Sequence, residues 1–292
     1  MKIGMNLPVM VPGLDRATVL AWCRGIDAGP FSTLAVGERI TFPNPEALVT
    51  MSVAAAVTER VRLAFTVLVG PLHAPLVLAK RMATLDVLSG GRLVLGLGVG
   101  AREDDYRAAG VPFDGKRLKR LEGDVALMRR AWTGERMVEG ADPIEPAPLQ
   151  PGGPEILAGS LLPTSLRRAA RWADGICGFS FAPSADEIAF QFEGARAAWA
   201  EEGRATPPRL VTSFWFALGP DAETQMDTYL RRYLGFFGET DAEQLRAMCQ
   251  VRSAAKLREA VAMVHDLGAD ELLLVPTTSD PDELGRVAAV LG

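Results

Sequence analysis

The sequence predicts an α/β fold, and within that class a closed (β/α)8 barrel. Three observations carry the prediction. Short apolar runs alternate with longer amphipathic ones, the short runs number eight, and most of them are continuously apolar. Continuous apolar runs suit parallel strands covered on both faces, whereas strands with one wet face alternate polar and apolar residues. A doubly wound open sheet is the competing arrangement of the same β-α order.

Strands are expected at Lys2–Leu7, Thr33–Gly37, Arg62–Leu68, Arg92–Leu97, Glu155–Ala158, Gly175–Phe179, Leu210–Leu218 and Glu271–Val275. Helices are expected between them at Arg16–Asp27, Pro45–Thr58, Pro75–Leu88, Lys116–Trp132, Pro163–Ala173, Ala185–Glu202, Ala222–Phe237 and Ala255–Leu267, with Pro281–Leu291 closing the chain. Pro45, Pro75, Pro163 and Pro281 stand where a first helical turn tolerates proline. Ser184 to Glu187 reads as a capping box, and Gly268 follows a helix as the residue that best accepts a left-handed cap. The rhythm breaks at Glu135–Pro154, which carries five prolines and little apolar periodicity. Because the β-α order resumes afterwards, that stretch (135–154) reads as an excursion within one domain spanning 1–292. Glu239–Val251 reads as a second, helical excursion.

Composition narrows the chemistry. With 48% apolar and 23% charged residues the chain matches an ordinary globular protein. A chain of 292 residues buries about three quarters of its unfolded surface, so it needs neither disulfides nor metal to fold. Acidic residues outnumber basic ones by 36 to 31, which argues against nucleic-acid and membrane-surface partners. Cys23, Cys177 and Cys249 lie far apart and show no zinc spacing. The two histidines exclude a metal site built on several of them. No apolar run approaches the roughly 20 residues of a spanning helix, and the N-terminus lacks a signal peptide's apolar stretch. A cytoplasmic protein with a small-molecule substrate and no metal is expected.

Two strand ends bear glycine. Gly96-Leu97-Gly98-Val99-Gly100-Ala101 ends the fourth strand, and Ala158-Gly159-Ser160 ends the fifth. Glycine lets backbone N–H groups approach a phosphate closely, and the second turn leads into a helix start, which favours anions. Gly96-x-Gly98-x-x-Ala101 also meets the loose dinucleotide fingerprint, but the immediate helix and the ribose-binding acid are not in place: Arg102–Tyr106 reads as a loop. A ligand-free glycine-rich barrel corner is the alternative. Glu38-Arg39 ends the second strand, where a barrel places catalytic side chains. An acid beside a guanidinium stays ionised and accepts a proton or a ligand N–H; a structural ion pair at the rim is the competing reading. Asn6, at the end of the first strand, faces the same mouth. His73, in the loop after the third strand, is a proton shuttle or, in the plainer reading, a solvated loop residue. His265 is assigned no chemistry. No Gly-x-Ser-x-Gly elbow supports a hydrolase. Phe65, Phe179, Phe214 and Trp215 are pocket or core.

Together these residues resemble the bacterial luciferase-like flavin and deazaflavin oxidoreductase superfamily, over nearly the whole chain. The most specific segment is Leu76–Gly100, with Leu78-Ala79-Lys80, Ala83–Arg92 and Gly96–Gly100; Val36–Arg39, Ala54–Leu63, Gly110–Phe113 and Leu166–Gly175 support it. More narrowly the chain is similar to F420-dependent oxidoreductases of actinobacterial type. The resemblance implies a (β/α)8 barrel with insertions and a deazaflavin or flavin ring at its mouth. It implies a phosphate held by Gly98, Val99 and Gly100 and by Gly159 and Ser160, and a cis peptide near Thr66-Val67 against the ring. It also implies a homodimer, for which Ala47–Val57 and Leu76–Leu88 offer apolar stripes.

Coenzyme F420 is the expected cofactor and hydride transfer the expected reaction. FMN with reduced-flavin monooxygenation, drawing on a flavin or F420 reductase, is the alternative, and a non-catalytic binder is the rival from another class. Glu38 and Arg39 stand where some relatives have Asp-His, which implies that no histidine relay operates there. Ala101 replaces the glutamate of the sugar-phosphate dehydrogenase branch. Gly159-Ser160 replaces a Gly-Gly turn, and Arg252-Ser253-Ala254-Ala255 replaces a Gly-Thr-Pro-Glu signature. Asn6, Glu38 and Thr66 are expected side by side around the ring cavity, with Glu38 paired to a cation.

Overall fold

In the computed structural model, which describes residues 1–292 with the side chain of Glu239 excepted, eight parallel strands close into a barrel in sequence order. They are β1 Lys2–Asn6, β2 Thr33–Val36, β3 Arg62–Val69, β4 Leu93–Gly98, β5 Glu155–Ala158, β6 Gly175–Cys177, β7 Arg209–Phe216 and β8 Glu271–Pro276. All eight expected runs are staves, and β1 pairs with β8 to close the ring, which excludes the open sheet.

The strands lack alternation because both of their faces are covered. Ala35, Ala64, Val94, Leu157, Cys177, Val211 and Leu273 fill the barrel interior. The opposite faces pack under the surrounding helices with Trp22, Phe65, Phe192, Phe214 and Phe216. The floor of the barrel is ionic. Buried Glu271 accepts from Thr33 Oγ1 at 2.6 Å and from Ser32 and Arg209, while Glu155 pairs with Arg62 at 2.7 Å and Arg209 at 2.6 Å.

The helix boundaries follow local chemistry. Ser184 caps the helix Ala185–Glu201 by accepting from the Glu187 amide at 3.1 Å, but Glu187 turns its carboxylate to Ser180 instead of closing the box. Gly268 takes the left-handed conformation at φ 78°. Residues 133–154 hold no helix or strand, yet they are pinned. Gln150 donates to Leu93 O at 2.8 Å and to Asp86 at 2.7 Å, and Asp86 is fully buried beneath it. The expected loop at Arg102–Tyr106 instead forms a short helix, Glu103–Ala108. Three acids in its first turn suit the positive helix end.

One irregularity shapes the barrel mouth. Phe65 pairs with Leu95 and Leu68 with Leu97, so β3 fits three steps into two of β4. The extra residue makes a bulge. The Thr66-Val67 peptide bond inside it is cis.

Candidate active site

At the C-terminal ends of the strands the bulge turns Val67 toward β4 and β5. A Cβ on Gly98 would lie 2.8 Å from Val67 Cγ2, and one on Gly159 2.9 Å from Val67 Cγ1. A Cβ on Gly96 would lie 2.1 Å from the Phe65 carbonyl oxygen. The glycines at these strand ends therefore make room for the bulge. Thr66 Oγ1 donates to Asn6 Oδ1 at 2.7 Å, tying β1 to β3. Thr66 and Val67 border a cavity of about 270 Å³ whose other walls include Gly159, Leu161, Phe179, Phe181, Trp215, Tyr233 and Phe236. A smaller recess of about 80 Å³ shares Thr66, Phe179, Ser213, Trp215 and Tyr233 and adds Asn6, Gly37 and Tyr229. A larger concavity of about 700 Å³ lies at the opposite end of the barrel, around Lys2, Arg60, Arg258 and His265.

Glu38 and Arg39 part company here, which corrects the expected pairing. Glu38 does not line either recess at the mouth. Its amide donates to the Val67 carbonyl at 3.2 Å, and its Oε2 accepts from the Val69 amide at 2.7 Å, so it clasps the far side of the bulge. Its side-chain partner is His73, whose Nε2 lies 2.9 Å from Glu38 Oε1. The histidine is thus not a solvated loop residue: its side chain is 11% exposed. A Glu–His pair stands where no histidine was expected, because the loop after β3 supplies the ring that position 39 lacks.

Arg39 points the other way. Its guanidinium stacks 4.1 Å from the Phe42 ring centroid and 4.7 Å from that of Tyr233, and Nη1 donates to the Tyr233 carbonyl at 3.2 Å. Burial pushes its pKa down from the ordinary arginine value, opposed in part by the Tyr233 hydroxyl.

The two glycine turns differ. Past the end of β4, the amides of Val99, Gly100 and Ala101 make no hydrogen bond among the described residues. Their carbonyls are held instead: Tyr106 Oη donates to Val99 O at 2.6 Å and Arg117 Nη1 to Gly100 O at 3.2 Å. These donors are free for an anion. At the second turn the Gly159 amide donates to Leu97 O at 2.7 Å and the Ser160 amide to Ala158 O at 2.9 Å. Those two amides are engaged within the protein, whereas the Leu161 amide makes no hydrogen bond among the described residues; Gly159 and Leu161 line the cavity and Ser160 is buried.

A family model described as luciferase-like monooxygenase matches residues 1–292. The chain belongs to the luciferase-like monooxygenase family. An uncharacterised protein of Mycobacterium tuberculosis is 34% identical over 170 residues, which is 56% of this chain and 59% of that protein. The match therefore spans about three fifths of that relative's length.

Solved luciferase-like structures share the fold end to end. Monooxygenase RslO1 from Streptomyces bottropensis matches with a TM-score of 0.81 at 22% identity, over 100% of this chain and 97% of that one. An F420-dependent secondary alcohol dehydrogenase, in complex with an F420-acetone adduct, matches at 0.78 and 15% identity, over 99% and 97%. The oxygenating constituent of 3,6-diketocamphane monooxygenase from Pseudomonas putida, in complex with FMN, matches at 0.75 and 18%, over 99% and 95%.

Within this luciferase-like barrel, the wall opposite the bulge is aromatic. Phe179, Phe181 and Trp215 meet edge to face, with centroids 4.5–5.6 Å apart. Tyr229 and Tyr233 stack at 5.7 Å. Burial holds both phenols above their ordinary pKa, so they stay protonated donors. Of the aromatic candidates read from sequence, Phe179 and Trp215 line the cavity while Phe65 and Phe214 are core. Sequence reasoning missed Ser213, Tyr229, Tyr233 and Phe236. The i, i+4 spacing of the two tyrosines marks one helix face, but not what that face meets.

Proposed function

We propose that this mouth binds coenzyme F420 and that the enzyme moves a hydride between it and a small organic substrate. The observation that carries the reading is the β3 bulge, which sets Thr66 and Val67 on one side of the cavity and the aromatic wall on the other. A planar ring fits between an apolar backing and ring faces.

The residues present fit the cofactor. Val99, Gly100 and Ala101 offer free amides for a phosphate, and the absent side chains of Gly98 and Gly159 leave Val67 its place. When bound, the deazaflavin supplies a carbon that accepts or delivers the hydride. Asn6 and Thr66 hold each other at the ring edge. Glu38 fixes the bulge from behind and is held in turn by His73, Nε2 against Oε1. Phe179, Phe181 and Trp215 exclude water from the face left for substrate. The F420-dependent alcohol dehydrogenase among the structural neighbours supports this cofactor.

The FMN-bound and RslO1 monooxygenases support a second reading, in which a reductase supplies reduced FMN and oxygen is the co-substrate. Titrating the protein with F420 and with FMN, following the fluorescence of each, separates the two. F420 is expected to bind about tenfold more tightly, a difference of about 1.4 kcal/mol. Tighter FMN binding moves the enzyme to the monooxygenase reading, and binding of neither removes the cofactor assignment.

A further inference from the structure

Arg39 is a buried cation without a counter-ion. The residue is 6% exposed, it forms no ion pair among the described residues, and its Nε and Nη2 are buried with no hydrogen-bond partner. The one hydrogen bond of its side chain, from Nη1 to the Tyr233 carbonyl, satisfies the end of the helix Ala222–Leu234. Aromatic faces compensate a cation in part, but they accept no in-plane N–H. Two orphaned donors on a desolvated charge are costly unless something pairs with them.

The orphaned pair is chemically specific. Nε and Nη2 form one edge of the guanidinium fork, the edge that takes two carboxylate oxygens at once. This chain uses that edge elsewhere: Arg168 turns Nε and Nη2 to the two oxygens of Glu122, each at 2.6 Å, and Arg130 does the same with Glu135. No carboxylate of the protein fills that role for Arg39. The nearby acid, Asp105, spends Oδ1 on Ile40 N, Thr41 N and Thr41 Oγ1, and its Oδ2 lies 3.6 Å from Arg102 Nε. Arg102 adds a second positive charge, 4.9 Å from the Phe236 ring that also covers Arg39. Of the three rings over Arg39, Phe42 backs it from outside while Tyr233 and Phe236 separate it from the 270 Å³ cavity that they line.

We propose that the Nε–Nη2 edge of Arg39 is the recognition site for a carboxylate on the substrate, admitted when the Phe236 ring turns aside. The substrate class is then an organic acid whose apolar body lies against Phe179, Phe181 and Trp215. The inference deepens the reading of the mouth as the substrate site and rests on it.

The test is calorimetric titration of the cofactor-free protein with benzoate and with benzamide, its uncharged isostere. Benzoate is expected to bind about tenfold more tightly, and Arg39→Met is expected to remove that preference while leaving benzamide affinity in place. Equal affinities in the wild type, no benzoate binding at millimolar concentration, or a preference that survives Arg39→Met each overturns the proposal. Should Arg39→Met fail to fold, Arg39→Lys, which keeps the charge but loses the two-donor edge, is expected to lose most of the preference, and a preference unchanged in that variant overturns the proposal. Because no cofactor is present, failure of F420 to bind and failure of the carboxylate site are separate results.

Discussion

Val67 sets the terms for the glycines around it. Gly98 and Gly159 both face its methyl groups at less than 3 Å from where a Cβ would sit. Gly98→Ala should therefore cost about 1–3 kcal/mol of stability by overpacking and weaken cofactor binding. Val67→Ala in the same chain should recover most of both losses. A double-mutant cycle read by thermal melting and cofactor titration checks this, and additive effects would disconnect the glycine from the bulge. The glycines were legible as a site in the sequence, but their reason was not: spacing suggested exposed backbone donors, while packing assigns Gly98 to steric clearance and leaves the donating to Val99–Ala101. Glu38 shows the same limit. Adjacency paired it with Arg39, yet neighbours at the end of a strand point to opposite sides, and the loop after β3 brought His73 instead.

Among the elements, β7 carries the sharpest division of labour. Phe214 packs outward under the helices while Ser213 and Trp215 face the mouth. Phe214→Ala should lose about 3–5 kcal/mol with ligand affinity nearly unchanged in whatever protein remains folded. Trp215→Ala should lose less stability and more affinity. Melting curves paired with titrations check the contrast, and similar profiles for the two variants would contradict the assignment of faces. All eight strands could be read because burial on both sides leaves long apolar runs. The same runs hide which residues point inward, since they carry no alternation. The short helix Glu103–Ala108 escaped because six residues hold less than two turns of periodicity.

For the whole molecule, one surface is left unexplained by the barrel alone. The helix Ala47–Val57 contains no charged residue, yet Val49 is 66% exposed, and Leu88, at the end of the neighbouring helix Pro75–Leu88, is 72% exposed. An uncharged helix with apolar side chains on its outer face needs covering. A second copy of the chain is expected there, so sedimentation should report a dimer. Val49→Lys combined with Leu88→Glu should then give a folded monomer. A wild-type protein that sediments as a monomer at micromolar concentration would leave the face without this explanation.

What the sequence determined by itself was the α/β class, the order and number of strands, the resemblance to a family, and the strand ends on which the candidate site stands. Those properties rest on local patterns: apolar runs, caps and turns, and motifs contiguous in the chain. Tertiary structure decided who meets whom at the mouth. His73 reaches Glu38 across 35 positions, and Arg39 meets Tyr233 across 194. Such contacts come from barrel closure and from the bulge in β3, which no local periodicity encodes. The unpaired Nε–Nη2 edge of Arg39 is of that kind, because an unmet hydrogen bond exists only once every other donor and acceptor has found its partner.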